Sequence, residues 1–206
     1  MQLYKTPLFV QWLYPSLVWR QSKAGKSIYL TFDDGPIPEV TPWVLQTLKH
    51  YGAKATFFCV GENVKRHPEI FKMLLADGHA IGNHTYHHLN GIKTGPALYL
   101  KDFLKCEEVL RENGVTTSLF RPPYGRISRR QVQMLASRYI VMWNVLSYDF
   151  SKKITAQKVL DKSIQHTTSG SIVVFHDSLK ANENLKFALP KFLEHFQSQG
   201  YRFEAL

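Results

Sequence analysis

Aspartate and histidine side chains at three points of the chain could together hold a metal ion and move protons. Asp33 and Asp34 are adjacent, and His84 and His88 are four residues apart, so on a helical turn both imidazoles would face the same way. Two imidazoles and one carboxylate make a three-ligand set with open positions, the arrangement of catalytic zinc and related divalent metals. The second carboxylate and a third imidazole, that of His176, would supply a base and an acid. The residue types therefore indicate a catalytic metal site.

Each of these features also has an ordinary structural explanation. Asp and Gly dominate turns, so the two aspartates before Gly35 could form nothing more than a turn. His176 follows a strand of Val and Phe and could be a core histidine, Arg121 could be a surface residue, and Asp149 could cap a helix. The catalytic interpretation therefore depends on the residues occurring together.

Short apolar runs alternate with helical patterns along the chain. Seven runs are predicted as strands, at residues 27–32, 54–60, 80–81, 119–120, 139–145, 171–175 and 201–203. Helices are predicted between them, at residues 41–51, 68–77, 96–113, 128–137, 155–166 and 182–199. Apolar strands that alternate with helices predict a parallel sheet or barrel in one α/β domain.

The polar residues of interest follow the ends of these strands. They are Asp33 and Asp34 after the first strand, His84 and His88 after the third, Arg121 to Tyr124 after the fourth, Asp149 after the fifth, and His176 with Asp177 at the sixth. In parallel α/β folds the active site lies at the carboxyl ends of the strands. We therefore expect one rim of the sheet to gather all of them.

The composition limits the classes of protein to which the chain can belong. Its 206 residues suffice for one domain with a sizeable core, and its two cysteines cannot form a disulfide framework. The formal net charge of +10 favours anionic partners, but Lys and Arg are scattered in runs no longer than two. Because no arginine-rich stretch or RNA-binding signature occurs, no nucleic-acid partner is expected.

The amino terminus contains an apolar segment. Residues 7–19 are apolar between Lys5 and Arg20, and they are too few to cross a bilayer as a helix. Residues 1–26 are therefore predicted to pack on a catalytic domain of residues 27–206, with a weak interfacial anchor as the alternative. No small-residue cleavage site follows, which argues against a signal peptide. This favours the cytoplasm and leaves peripheral membrane association or export open.

Four short motifs occur in order along residues 27–206. They are Thr-Phe-Asp-Asp-Gly at 31–35, His-Thr-Tyr-His-His at 84–88, Arg-Pro-Pro-Tyr at 121–124 and Val-Phe-His at 174–176. At these residues the chain resembles the polysaccharide deacetylases of carbohydrate esterase family 4, the NodB homology domain. The resemblance implies a distorted (β/α) barrel of about seven mostly parallel strands in a single domain. It also implies metal-dependent removal of N-acetyl groups from glycans that contain N-acetylglucosamine, with release of acetate.

The resemblance also gives each site residue a role. The metal, zinc or else cobalt, would be bound by Asp34, His84 and His88. Asp33 would accept a proton from water, and His176 would protonate the leaving amine. Arg121 would hold and tune Asp33, and the backbone N–H of Tyr124 would complete an oxyanion site beside the metal.

The fourth motif of the family differs here. Where the family usually has Asp-x-x-Asp-Trp, this chain has Leu146-Ser-Tyr-Asp149-Phe150. Leu146 thus replaces the acidic residue that would tune His176, and Asp149 and Asp177 are the candidates to take over that task. The change bears on the pKa of His176 rather than on the metal site.

Two other functions remain open from the sequence. One is an amidohydrolase that acts on a non-sugar amide, and the other is a catalytically weak module that binds glycan. The replacement at Leu146 fits a binding module, whereas the retained Asp33 and His176 favour an enzyme, because a binding protein needs neither.

Overall fold

Eight parallel strands organise the chain in a computed structural model that describes residues 2–22 and 25–206. The strands are β1 (Ser27–Asp33), β2 (Thr56–Cys59), β3 (Ala80–Asn83), β4 (Leu119–Phe120), β5 (Tyr139–Ile140), β6 (Val145–Leu146), β7 (Ile172–His176) and β8 (Arg202–Glu204). The main path runs β5-β4-β3-β2-β1-β7-β6, and β8 lies beside the first residues of β1. The predicted α/β barrel of mostly parallel strands is therefore confirmed.

Helices connect the strands. They are α1 (Leu8–Leu13), α2 (Thr41–His50), α3 (Gly61–Arg66), α4 (Pro68–Ala76), α5 (Pro96–Glu112), α6 (Arg129–Met134), α7 (Ala156–His166) and α8 (Asn182–Gln197). Helices α2, α4 and α5 begin with a proline in the first turn, as the sequence predicts. Helix α3 is not predicted from the sequence, because six residues are too few to show a helical period.

The single strand predicted at residues 139–145 is wrong, and the difference explains how the sheet curls. This segment forms β5 and β6, which lie at opposite ends of the path and pair with β4 and β7. Seven strands laid flat would hold their end strands roughly 29 Å apart. The five residue steps from Ile140 to Val145 span at most roughly 18 Å. The sheet must therefore curl until its ends approach each other, which leaves a seam between β5 and β6.

The amino-terminal segment lies along this seam. The N–H of Met142 donates to the carbonyl of Val18 at 2.7 Å, and the N–H of Leu146 donates to the carbonyl of Tyr4 at 2.9 Å. The segment thus supplies main-chain hydrogen-bond partners that β5 and β6 do not supply to each other.

Burial along the amino-terminal segment is uneven. Tyr4, Leu17 and Trp19 are buried in the core, but α1 between them buries none of its residues. Contact with the rest of the chain is therefore made by the two ends of the segment and, within α1, by the half-buried Val10. No helix in residues 2–22 and 25–206 is long and apolar enough to cross a membrane.

An aromatic layer beneath the rim fixes the central strands side by side. Phe32 of β1 stacks on Phe57 of β2 with ring centroids 5.0 Å apart, and on Phe175 of β7 at 6.3 Å. All three rings are buried. Because neighbouring strands share this layer, the residues that follow it emerge at one rim of the sheet.

The two tryptophans of the amino-terminal segment should differ in their effect on stability. We expect Trp19→Ala to lower the free energy of unfolding by about 3 kcal/mol or more, because the buried indole leaves a cavity. Trp12, whose side chain is exposed, is the matched control, and Trp12→Ala should change this free energy by less than about 0.5 kcal/mol. Urea unfolding measures both. Equally small effects would mean that the seam segment is not part of the cooperative fold.

Candidate active site

Strand register brings the candidate residues to one rim. Asp33, at the end of β1, is paired with His176, at the end of β7. On the other side, Cys59 of β2 pairs with Asn83 of β3, and Asn83 pairs with Phe120 of β4. His84 directly follows Asn83 in the chain, and Arg121 directly follows Phe120. Residues far apart in sequence thus become neighbours because all these strands end at the same level.

Asp34, His84 and His88 form a cluster with metal-ligand geometry. One ligand atom from each of these side chains lies within 4.8 Å of the others. The Oδ1 atom of Asp34 is 3.2 Å from Nε2 of His88 and 3.8 Å from Nε2 of His84. His84 is buried, and the other two are partly accessible from the rim. Two imidazoles and a carboxylate at this separation could hold one divalent cation with positions left for other ligands.

Hydrogen bonds turn both imidazoles so that Nε2 faces the cluster. Nδ1 of His84 lies 2.7 Å from the backbone carbonyl oxygen of Arg121, to which it can only donate. Nδ1 of His88 lies 3.1 Å from the hydroxyl of Tyr124. The first contact makes Nδ1 the protonated nitrogen of His84 and leaves its Nε2 lone pair for a metal, and the second orients the ring of His88.

The environment also sets the charge state of these ligands. Burial lowers the pKa of His84 to about 4, against the opposing effect of Asp33 and Asp34, so its imidazole is neutral at neutral pH. Burial alone would raise the pKa of Asp34. The hydrogen bond with His88 and the nearby charge of His176 nevertheless hold that pKa below its ordinary value. Neutral imidazole and ionised carboxylate are the forms that bind metal.

Asp33 is held beside the cluster by a buried arginine. Nη1 of Arg121 donates to Oδ1 of Asp33 at 2.7 Å, and the guanidinium carbon lies 4.1 Å from the ring centroid of Phe58. The other oxygen, Oδ2, lies 4.0 Å from Nε2 of His84. Asp33 is therefore tied through one oxygen and keeps the other directed toward the cluster.

The acid that contacts His176 is Asp149. Its Oδ1 is 2.8 Å from Nδ1 of His176, and its Oδ2 accepts the backbone N–H of the same residue at 2.8 Å. Burial would lower the pKa of His176, but the charge and hydrogen bond of Asp149 raise it to about 9. Of the two acids considered as replacements for the family's acid at Leu146, Asp149 is the one that contacts His176, from the turn after β6.

Asp177, the other candidate partner of His176, makes different contacts. It accepts the N–H of Gly35 at 3.0 Å and the hydroxyl of Thr41 at 2.6 Å. Burial raises its pKa to about 8. A Cβ at Gly35 would lie 1.9 Å from Oδ2 of Asp177, so only glycine fits there. Asp177 therefore holds the turn that presents Asp33 and Asp34.

Backbone strain is concentrated around the site. Five non-glycine residues in the described part of the chain have a positive φ: Asp34 (84°), Thr85 (61°), His88 (56°), Tyr124 (60°) and Tyr148 (59°). The first four lie in the loops that follow β1, β3 and β4, and Tyr148 directly precedes Asp149. Each such conformation costs about 1–3 kcal/mol and persists only where surrounding contacts hold it.

One such contact comes from Asp102, on α5. Its Oδ2 accepts the N–H groups of Tyr86 and His87, both at 3.0 Å, and its Oδ1 contacts Nδ1 of His87. Asp102 is buried, and its carboxylate lies against the middle of the loop between His84 and His88. It therefore anchors the loop that positions both histidines.

Asp102 was not found from the sequence, although a signal exists. It lies on the inward face of a helix, among the buried residues Tyr99, Phe103 and Cys106. An acidic side chain gains nothing from apolar packing at such a position. Buried carboxylates need partners, so this position should have indicated a polar contact with another segment.

The site opens into a cavity of about 470 Å³. Besides the residues already described, its walls include the apolar side chains of Ile37, Trp143, Leu146, Phe150, Val174 and Leu179, together with Ser178 and Lys180. A larger groove of about 1000 Å³ runs along α5, but the clustered carboxylate and imidazoles lie in the smaller cavity. A mostly apolar pocket with a few convergent polar groups is the usual form of a small-ligand site.

Known proteins resemble the chain in both sequence and structure. The family described as polysaccharide deacetylase matches residues 20–141. A peptidoglycan-N-acetylglucosamine deacetylase of Bacillus cereus is 36% identical over 183 residues, which cover 87% of this chain and 66% of that protein. A chitooligosaccharide deacetylase of Azorhizobium caulinodans is 35% identical over 169 residues, 80% of each chain.

A solved structure extends the similarity to nearly the whole chain. The crystal structure of the Bc1960 peptidoglycan N-acetylglucosamine deacetylase, in complex with 4-naphthalen-1-yl-N-oxidanyl-benzamide, superposes with a TM-score of 0.90. The two chains are 32% identical, and the match covers 98% of this chain and 95% of that one. The chain nevertheless spans just under two thirds of the length of the Bacillus cereus relative.

Loss of the Asp102 anchor should weaken metal binding. We expect Asp102→Ala to lower zinc affinity about 10–100-fold, because the loop between His84 and His88 loses its support. Asp102→Asn, which keeps an acceptor for a backbone N–H, should lose less. Glu108→Ala on the same helix, at an exposed position, is the matched control. Calorimetric titration of the metal-free protein with zinc measures all three. Unchanged affinity in a folded Asp102→Ala protein would contradict the anchoring role.

Proposed function

The chain belongs to the polysaccharide deacetylase family, and on that premise we propose that it hydrolyses N-acetyl groups of glycans containing N-acetylglucosamine and releases acetate. The observation that carries the proposal is one cavity lined by the Asp34, His84 and His88 cluster, by Asp33 and by His176. Metal ligands, a tied carboxylate and an imidazole with a raised pKa are the parts that hydrolysis of an unactivated amide requires.

The donor set at the rim fits a divalent metal ion. Asp34, His84 and His88 offer one carboxylate oxygen and two imidazole nitrogens, and hydrogen bonds to Nδ1 orient both rings. This set suits zinc, which we propose as the metal, with cobalt as the alternative. When bound, the ion polarises the acetyl carbonyl and lowers the pKa of water to about 7.

Asp33 is proposed as the base that takes a proton from the attacking water. Arg121 occupies its Oδ1, and Oδ2 remains directed toward the cluster, 4.0 Å from Nε2 of His84. Because one oxygen is fixed, the free oxygen has a defined position, which is what proton transfer in a transition state requires.

His176 is proposed as the acid that protonates the leaving nitrogen when the carbon–nitrogen bond breaks. Its pKa of about 9 keeps the imidazole charged at neutral pH, so it has a proton to give. Asp149 contacts Nδ1, which leaves Nε2 free to donate. The amine thus departs neutral, and the acetyl carbon leaves with the water oxygen as acetate.

Two further groups are proposed to hold the acetyl group. The backbone N–H of Tyr124, in a turn with φ of 60° at the cavity wall, would donate to the carbonyl oxygen as charge develops there. The apolar side chains of Trp143, Leu146 and Val174 would surround the methyl group. Leu146, which replaces an acid of the family's motif, thereby becomes part of the wall.

The contacts of Asp33 and His176 favour an enzyme over a module that only binds glycan. A buried Arg121–Asp33 pair and a buried Asp149–His176 pair both cost desolvation and serve proton transfer rather than sugar binding. An amidohydrolase acting on non-sugar amides would use the same groups. Comparing the activity on acetylated sugars with the activity on small non-sugar amides distinguishes a glycan deacetylase from such an amidohydrolase.

Acetate release from N-acetylglucosamine oligomers tests the reaction. We expect release that stops on chelation and returns on adding zinc or cobalt, because the carbonyl is otherwise not polarised. Asp33→Asn should lower kcat by about 10²–10⁴-fold. Asp161→Asn, an exposed aspartate on α7, is the matched control and should change nothing. Activity that is unchanged both by chelation and by Asp33→Asn would refute the mechanism.

The pH profile tests the pairing of Asp149 with His176. Since the protonated imidazole is the active form, activity should fall as pH rises through the pKa of His176. Asp149→Asn removes the negative charge that raises this pKa, so the alkaline limb of kcat/KM should move to lower pH by about one unit or more. The Asp161→Asn protein should keep the original limb. An alkaline limb that stays in place in Asp149→Asn would contradict the assignment of His176 as the acid.

A further inference from the structure

Helix α1 exposes apolar side chains that no described part of the chain covers. Leu8, Phe9, Trp12 and Leu13 are 62–82% exposed, and Tyr14 is also exposed. Ile92, in the loop after His88, is 60% exposed and borders the same groove as Leu13 and Tyr14. We call these six residues the α1 patch. Single exposed apolar residues are ordinary, but a contiguous group with three aromatic side chains marks an interaction surface.

The fold does not need the α1 patch. Helix α1 buries none of its residues, and the seam is closed by Tyr4, Leu17, Trp19 and the main chain on either side of the helix. A polar surface on α1 would leave these contacts intact. The apolar surface of α1 therefore has its use outside the folded domain.

The surroundings of the patch carry positive charge and lack carboxylates. Residues 1–32 and residues 113–148 contain no Asp or Glu, although the rest of the chain contains sixteen. These two acid-free segments meet at the seam, where Val18 pairs with Val141. Their exposed cations include Lys5 and Arg130, together with two arginines that line the groove beside α1, Arg126 and Arg129.

We propose that the α1 patch docks the protein on the surface of a lipid bilayer that contains anionic lipids. Tryptophan and tyrosine favour the bilayer interface, where the ring is buried and its polar edge stays hydrated. Arginines around an apolar face add attraction to anionic headgroups. Trp12, Phe9 and Leu13 supply the inserting side chains, and Arg126 and Arg129 supply the headgroup contacts.

A second copy of the chain fits the patch less well. In a twofold dimer the same surface faces itself, so the positive charge of one copy would face the positive charge of the other, and neither acid-free segment has a carboxylate to offer. A soluble glycan also fits less well, because α1 projects from the surface, whereas sugar and other small-ligand sites are concave.

The position of the patch relates docking to the proposed reaction. Gly125 lines both the groove beside α1 and the cavity of the catalytic residues. Docking through α1 would therefore hold the mouth of that cavity beside the membrane surface. The docking itself does not depend on the catalytic residues, so the two proposals can fail separately.

Vesicle flotation with the full chain tests the proposal. The protein should float with vesicles of phosphatidylcholine and phosphatidylglycerol at low salt, and much less with phosphatidylcholine alone or at high salt. Phe9→Ser/Trp12→Ser should abolish flotation, and Arg126→Gln/Arg129→Gln should weaken binding by about fivefold per arginine. The same vesicles should shift the fluorescence of Trp12 to shorter wavelength, a shift that Trp12→Phe removes.

Matched variants elsewhere on the surface serve as controls. Leu98→Ser/Leu104→Ser removes two exposed leucines of α5, and Lys49→Gln/Lys72→Gln removes two exposed lysines of α2 and α4. Both should float like the parent, and acetate release from soluble oligomers should be unchanged in every variant.

Three results would overturn the proposal. The first is flotation that is unaffected by the α1 substitutions. The second is a dimer that these substitutions dissociate, with no vesicle binding by the parent. The third is a shift of Trp12 fluorescence to shorter wavelength on adding soluble glycan oligomers, with no shift on adding vesicles.

Discussion

The buried guanidinium of Arg121 is the interaction on which the site depends. It donates to Asp33, to the hydroxyl of Thr31 in β1, and to the backbone carbonyls of Val141 and Met142 in the seam. The backbone carbonyl of Arg121 accepts a hydrogen bond from Nδ1 of His84. One fully buried residue thus ties together the proposed base, the proposed metal ligand His84, strand β1 and the segment after β5. Only the planar, five-donor fork of arginine can meet all these acceptors at once.

Three buried carboxylates of this rim have different tasks because their surroundings differ. Asp33 faces a guanidinium through one oxygen and directs the other toward the cluster. Asp149 faces His176 and raises the pKa of that imidazole. Asp177 faces a glycine N–H and a threonine hydroxyl, and burial raises its own pKa to about 8. The chemistry of each acid therefore follows from its partner rather than from its residue type.

The strained loops of the site are held by groups that lie outside it. Asp102 anchors the loop of the two histidines from helix α5, and Asp177 anchors the turn of Asp33 from the strand beside it. Supports of this kind allow positive φ values at residues such as Thr85 and His88 to persist. They also explain why one ligand atom each from Asp34, His84 and His88 lies within 4.8 Å of the others.

The sequence by itself determined the α/β alternation, the order of the strands' polar ends and the residues of the rim, because apolar period and turn chemistry are local properties. It did not determine that residues 139–145 divide into two strands, since the break follows from closing the sheet. It did not distinguish Asp149 from Asp177 as the partner of His176, and it did not identify Asp102 as a residue that supports the site. Only the tertiary structure decided which segments Asp102, Asp149 and Asp177 contact, because each of these side chains binds a residue at least fifteen positions away, and a local pattern does not say which distant segment lies beside it.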